Sequence, residues 1–74
     1  MWVMEKYNED GSITREYRLH LLEKYRGRIE EDQYGDLNLL KGAIIIGWDL
    51  SFEGYRVIYG LKKGKLVIVW LDFP

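Results

Sequence analysis

The sequence predicts a small α+β domain in which one or two helices pack on one face of an antiparallel β-sheet. Its 74 residues suffice for one hydrophobic core, so we treat residues 1–74 as a single domain. Apolar residues recur at every fourth position from Ile13 to Ile29, which is typical of an amphipathic helix. After Gly42, short segments rich in Ile, Val, Tyr and Trp replace that spacing and indicate strands.

The N-terminal half predicts a strand at residues 2–7 and then the helix. Asp10-Gly11-Ser12 is a plausible helix start with Ser12 as the N-cap, and Gly27 either ends or kinks the helix. Residues 30–35 indicate a loop or a frayed second helix. Alternatively, residues 2–7 pair with residues 13–19 as a hairpin, which leaves residues 12–26 either helical or part of that hairpin. The fourfold spacing persists over sixteen residues and favours the helix.

The C-terminal half predicts a three-stranded antiparallel meander at residues 43–48, 55–59 and 66–71. The sequence KKGK at residues 62–65 is typical of a tight hairpin turn in which Gly64 supplies a positive φ. With the N-terminal strand, the meander would give a sheet of four strands.

The last predicted strand is apolar on both faces. One helix covers only one face of a sheet, so a loop from residues 30–42 or a partner chain must cover the other. We therefore treat this strand as a candidate partner interface, for another protein or a second copy of the chain. The residues concerned alternate between the two faces and are Leu66, Ile68 and Trp70 on one, and Val67, Val69 and Leu71 on the other.

Composition excludes several classes of protein. With 47% hydrophobic residues the chain is too apolar for a disordered tail, and its longest apolar run, residues 66–71, is too short to span a membrane. The absence of cysteine excludes disulfides and thiolate metal sites. No signal peptide is recognisable at residues 1–8, and we expect a cytoplasmic protein without metal or cofactor.

The net charge of −1 divides unevenly along the chain. Residues 1–40 carry six basic and nine acidic side chains, whereas residues 41–74 carry five basic and three acidic ones. The near-neutral total argues against a general nucleic-acid coat. The excess of positive charge in the C-terminal half is either solvated surface or a modest basic surface facing an anionic partner.

Two segments of the predicted hairpin resemble a known family. Residues 54–60 read GYRVIYG and residues 62–69 read KKGKLVIV. These two segments resemble the RelE/ParE toxin superfamily. Further segments that resemble it are Arg28-Ile29, the sequence YGDL at residues 34–37, and Asp10-Gly11-Ser12 ahead of Glu16-Tyr17. Within it, the phage-related, HigB-like addiction-module killer proteins are the most similar branch.

That resemblance implies a βααβββ domain that cuts mRNA on the ribosome without a metal and is silenced by an antitoxin. In such a reaction a ribose 2′-hydroxyl attacks the adjacent phosphate while basic side chains neutralise the phosphoryl oxygens. Arg56 matches a family arginine and becomes the candidate catalytic residue. Lys62, Lys63 and Lys65 match a variable basic turn and become the candidate RNA- and phosphate-binding residues.

A second hypothesis is a catalytically inactive protein-binding module on the same scaffold, such as an inhibitor or anti-defence factor from a phage or plasmid. Residues 46–50 carry no basic side chain where the family has a basic element, and the family's lysine-bearing tail is absent. Both the enzyme and the binding module are therefore open hypotheses from the sequence.

Overall fold

The computed structural model describes residues 3–51 and 53–71, and it confirms the α+β class. In chain order the elements are helix α1 (Arg15–Lys24), strand β1 (Ile29–Asp32), a 3₁₀ helix (Leu37–Leu40), strand β2 (Ile44–Leu50), strand β3 (Arg56–Lys62) and strand β4 (Lys65–Trp70). The four strands form one sheet in the order β1-β4-β3-β2.

The predicted C-terminal meander is confirmed. Strand β2 pairs antiparallel with β3, and β3 pairs antiparallel with β4. The turn between β3 and β4 has φ values of 53° at Lys63 and 75° at Gly64. Two consecutive residues with positive φ are the signature of a type I′ turn, whose twist matches that of the flanking strands.

The fourth strand lies elsewhere than predicted. It is β1, which pairs parallel with β4 and makes the sheet mixed rather than antiparallel. Trp2 of the predicted N-terminal strand lies outside the described residues, and residues 3–7 form a single bridge, between Tyr7 and Ile13. This arm instead folds back on itself, since the Asn8 N–H donates to the Ser12 carbonyl at 2.8 Å.

Helix α1 confirms the helical interpretation of residues 12–26, but it is shorter than the apolar spacing predicts. Its N-cap is Thr14, whose Oγ1 accepts from the Tyr17 N–H at 3.0 Å, and not Ser12. The Ser12 hydroxyl donates to Asp10 at 2.6 Å within the preceding turn and is therefore already engaged. After the C-cap Tyr25, Gly27 at φ 80° turns the chain away from the helix axis.

Strand β4 is covered on both faces by the chain itself. Helix α1 packs on one face, where Leu21 lies in the same core cluster as Leu66 and Ile68. Strands β1 and β2 occupy opposite edges of the sheet, so residues 33–43 must cross β4 and β3 to connect them. The crossing lies over the second face, because a Cβ added at Gly60 would lie 3.1 Å from Leu40 Cδ2. Coverage by a loop, one of the two alternatives, is therefore confirmed.

The cap at Thr14 gives a direct test of this helix start. Thr14→Ala removes the acceptor of the Tyr17 N–H and should lower the free energy of unfolding by about 1 kcal/mol, as measured by urea denaturation. Thr14→Ser keeps the hydroxyl and should retain most of that stability. Equal losses in the two variants would show that the threonine methyl group, rather than the cap, is responsible.

Candidate phosphate-binding site

Three lysines surround the turn between β3 and β4, and we call residues 62–65 the lysine hairpin. Lys62 and Lys65 are directly opposite each other in the β3–β4 ladder. Opposed residues in an antiparallel pair lie on the same face with Cβ atoms about 4.5–5.5 Å apart, and two like charges there repel. Lys63 occupies the turn between them and is exposed.

This hairpin forms one wall of a small concavity, which we call the lysine pocket, of about 180 Å³. Its other walls come from the crossing segment and from β1, and Val67, only 1% exposed, belongs to its lining. The pocket therefore lies on the sheet face opposite helix α1. Its lining consists of Glu30, Asn38, Leu39, Lys62, Lys63, Lys65 and Val67.

The positive charge of the lysine hairpin is not neutralised within the described residues. The ion pairs found there join Arg18 to Asp49 at 3.5 Å and Arg26 to Glu23, and neither involves a hairpin lysine. Glu30 is the one carboxylate that lines the lysine pocket, so the charged side chains of the pocket sum to +2. An anion in the pocket would relieve the repulsion between Lys62 and Lys65.

Arg28 fixes the lysine hairpin against the end of helix α1. Its guanidinium donates to the Gly64 carbonyl at 3.0 Å and to the Lys24 carbonyl at 3.2 Å, and it lies 5.1 Å from the Tyr25 ring. The Leu66 N–H also donates to the Arg28 carbonyl at 2.9 Å. Arg28 thus positions the turn and adds another positive charge to the same end of the molecule.

The candidate catalytic residue Arg56 is not brought together with the lysines. It begins β3 while Lys62 ends it, so about 20 Å of extended strand separates their backbones. Arg56 lies over the Trp48 ring at 5.1 Å, in a cation–π contact. A single phosphate cannot contact both Arg56 and the lysine hairpin.

Most of the predicted partner interface belongs to the core of the chain. Exposure runs from 0% at Leu66 and Val69 to 4% at Ile68, because the helix and the crossing segment cover the two faces. These buried side chains are therefore not available at the surface. Trp70 and Leu71 are half-buried, and the Trp70 indole N–H donates to Glu31 at 2.7 Å.

A second cleft, of about 290 Å³, lies between helix α1 and the other face of the sheet. Arg18 and Tyr59 line it, and Arg18 forms the ion pair with Asp49. Burial of the phenol, followed by the negative charge of Asp49, raises the pKa of Tyr59 to about 12. The lone histidine, His20, is exposed on helix α1 and does not line this cleft.

Sequence reasoning identified the three lysines but missed Glu30, Asn38 and the positioning role of Arg28. Glu30 and Asn38 join the lysine pocket only through the parallel pairing of β1 and the crossing of the sheet. The one local signal is Asp36, which caps the 3₁₀ helix by accepting from the Asn38 N–H at 3.1 Å.

Among residues 3–51 and 53–71, no group of three or more His, Cys, Asp or Glu side chains has an arrangement that could hold a metal ion. No helix in this part of the chain has the length and apolar character needed to cross a membrane. Comparison with protein-family models, with curated proteins and with solved structures found no match to this chain.

The buried phenol gives a prediction that depends on pH. An ordinary tyrosine ionises near pH 10, so Tyr59 should stay neutral at pH 10–11, where exposed tyrosines have largely ionised. Because its folded-state pKa is raised, its contribution to stability is complete below pH 10 and is lost as the pH rises from 10 to about 12. Absorbance titration at 295 nm of the protein should show a late-ionising phenol that is missing from the titration of Tyr59→Phe. Identical titration curves below unfolding would contradict the assignment.

Proposed function

We propose that the protein binds RNA through the lysine hairpin. The single observation that carries this proposal is the opposed pair Lys62 and Lys65, with Lys63 beside them and no carboxylate within ion-pair distance among the described residues. Folding places two like charges face to face, at a cost in stability. Phosphate is the abundant biological anion that offsets such a cost by binding between ammonium groups.

The resemblance to the RelE/ParE toxins supports RNA as the polyanion. The residues that carry the resemblance most strongly, 54–60 and 62–69, include the hairpin itself. In this proposal the protein is a toxin-like, cytoplasmic RNA-binding domain, and a cognate antitoxin protein is its second partner.

The proposal is binding rather than cleavage. The in-line reaction needs several groups on one phosphate, and Arg56 is separated from the lysines by the length of β3. Arg56 is engaged with Trp48 instead. We therefore assign the contact with phosphate to the lysines and no catalytic role to Arg56.

Removing the opposed lysines should separate binding from folding. Lys62→Ala/Lys65→Ala should weaken binding to a single-stranded RNA and make the plot of log K against log salt shallower by about 1.4, because two phosphate contacts are lost. Thermal stability should not fall, since the substitution removes a repulsion. Fluorescence anisotropy over a salt series and thermal denaturation measure the two effects.

Lys6→Ala/Arg15→Ala is the matched control, because it removes two exposed positive charges outside the lysine pocket. It should leave the salt dependence nearly unchanged. If both double variants lose the same affinity for RNA, the net charge of the protein alone would account for the binding. RNA cleavage that is abolished by Arg56→Ala would instead establish the enzyme and contradict the assignment to binding.

A second candidate function is a protein-binding module that acts through strand β2. This strand lies at an edge of the sheet and exposes Ile44 by 74%, Ile45 by 54% and Leu50 by 48%. Exposed apolar side chains on an edge strand are typical of an interface. Analytical ultracentrifugation at micromolar concentration tests this candidate on the protein and on Ile45→Lys. Monomers alone in both samples would contradict self-association through β2.

A further inference from the structure

The lysine pocket is a half-open concavity that three parts of the chain surround. The crossing segment bounds it with Asn38 and Leu39, and β1 bounds it with Glu30. Its volume of about 180 Å³ can hold one phosphate group with part of the attached sugar.

The charges of the pocket match a phosphate that ends a strand. Its three lysines and Glu30 sum to +2. A phosphate monoester carries about −1.5 to −2 at pH 7, whereas a phosphodiester within a strand carries one negative charge. A monoester therefore neutralises the pocket, and a diester leaves Lys62 and Lys65 partly uncompensated.

The remaining polar group of the pocket is suited to a phosphate oxygen. The Asn38 carboxamide has no hydrogen-bond partner among the described residues, while its backbone N–H is used by Asp36. Its NH₂ group is a neutral donor. No aromatic ring lines the pocket, so nothing in it stacks on a base.

We propose that the lysine pocket binds the terminal phosphate monoester of an RNA strand, with Lys62, Lys63 and Lys65 around its oxygens and Asn38 as a neutral donor. This rests on the proposed RNA binding and specifies the part of the RNA that is recognised. Glu30 opposes binding and keeps the affinity for free phosphate low.

The test compares the affinity for RNA strands of one sequence that carry a 5′-phosphate, a 3′-phosphate or only hydroxyl ends. The control is a longer hydroxyl-ended strand whose formal charge equals that of the phosphate-ended strands. A strand with a terminal phosphate should bind about tenfold more tightly than the control, as expected of one additional charge-assisted hydrogen bond. Inorganic phosphate at millimolar concentration should lower the affinity for that strand more than it lowers the affinity for the hydroxyl-ended one. Competition at micromolar concentration would assign the pocket to free phosphate instead and overturn the proposal.

Two substitutions test the pocket without touching the lysines. Asn38→Leu should reduce the preference for the terminal phosphate several-fold. Glu30→Gln should strengthen binding of the phosphate-ended strand about threefold, while Glu9→Gln, the same change in an exposed turn, should not. Circular dichroism confirms that each variant is folded.

The outcomes distinguish this inference from the function on which it rests. In one outcome the protein binds phosphate-ended and charge-matched strands with equal affinity, and Lys62→Ala/Lys65→Ala weakens the binding of both. This result would overturn the terminal-phosphate site and leave RNA binding standing. Binding that is indifferent to the lysine substitutions would overturn both.

Discussion

The structure depends on one topological constraint, which is that β1 and β2 lie at opposite edges of the sheet. The segment that joins them has to cross the two central strands, and it does so on the face that helix α1 leaves open. This crossing buries Val67 and Val69 and places a strand that is apolar on both faces at the centre of the core of the chain. Gly60 permits the close approach, since any side chain there would press against Leu40 and Ala43.

The same crossing produces the candidate site. It carries the 3₁₀ helix to the end of the sheet where β3 turns into β4, so that Asn38 and Leu39 face the lysines of the hairpin. Arg28 holds that turn to the end of helix α1 through two backbone carbonyls. The lysine pocket is thus built from three separate parts of the chain, and its positive charge is fixed in place by the fold.

The sequence predicts correctly those elements in which the secondary-structure preferences of the residues agree with the fold. The meander and its KKGK turn combine β-branched residues with a glycine at a position of positive φ, and both were predicted. Strand β1 was missed because Glu30, Glu31 and Asp32 disfavour strands, and only pairing with β4 at the sheet edge orders them. Acidic side chains at an exposed edge also discourage pairing with another sheet. The N-cap was misplaced because the Ser12 hydroxyl is engaged with Asp10 in the turn before the helix.

Similar reasoning applies to the site. The lysines follow one another in sequence and were identifiable as a group, whereas Glu30 and Asn38 reach them only through long-range pairing. Arg56 and Lys62 are close in sequence and belong to the same strand. Because that strand is extended, the two residues lie at its opposite ends and cannot share one site. The apolar last strand indicated that a loop or a partner chain covers its second face, and only the crossing of the sheet shows that the loop does so.

The most direct test of the central claim is to map the RNA contact by NMR, following backbone amide shifts during titration with a single-stranded RNA. The account predicts that the largest changes fall on residues 62–65, on Asn38 and Leu39, and on Glu30. Changes concentrated on strand β2 or around Arg56, with the lysine hairpin unaffected, would contradict it.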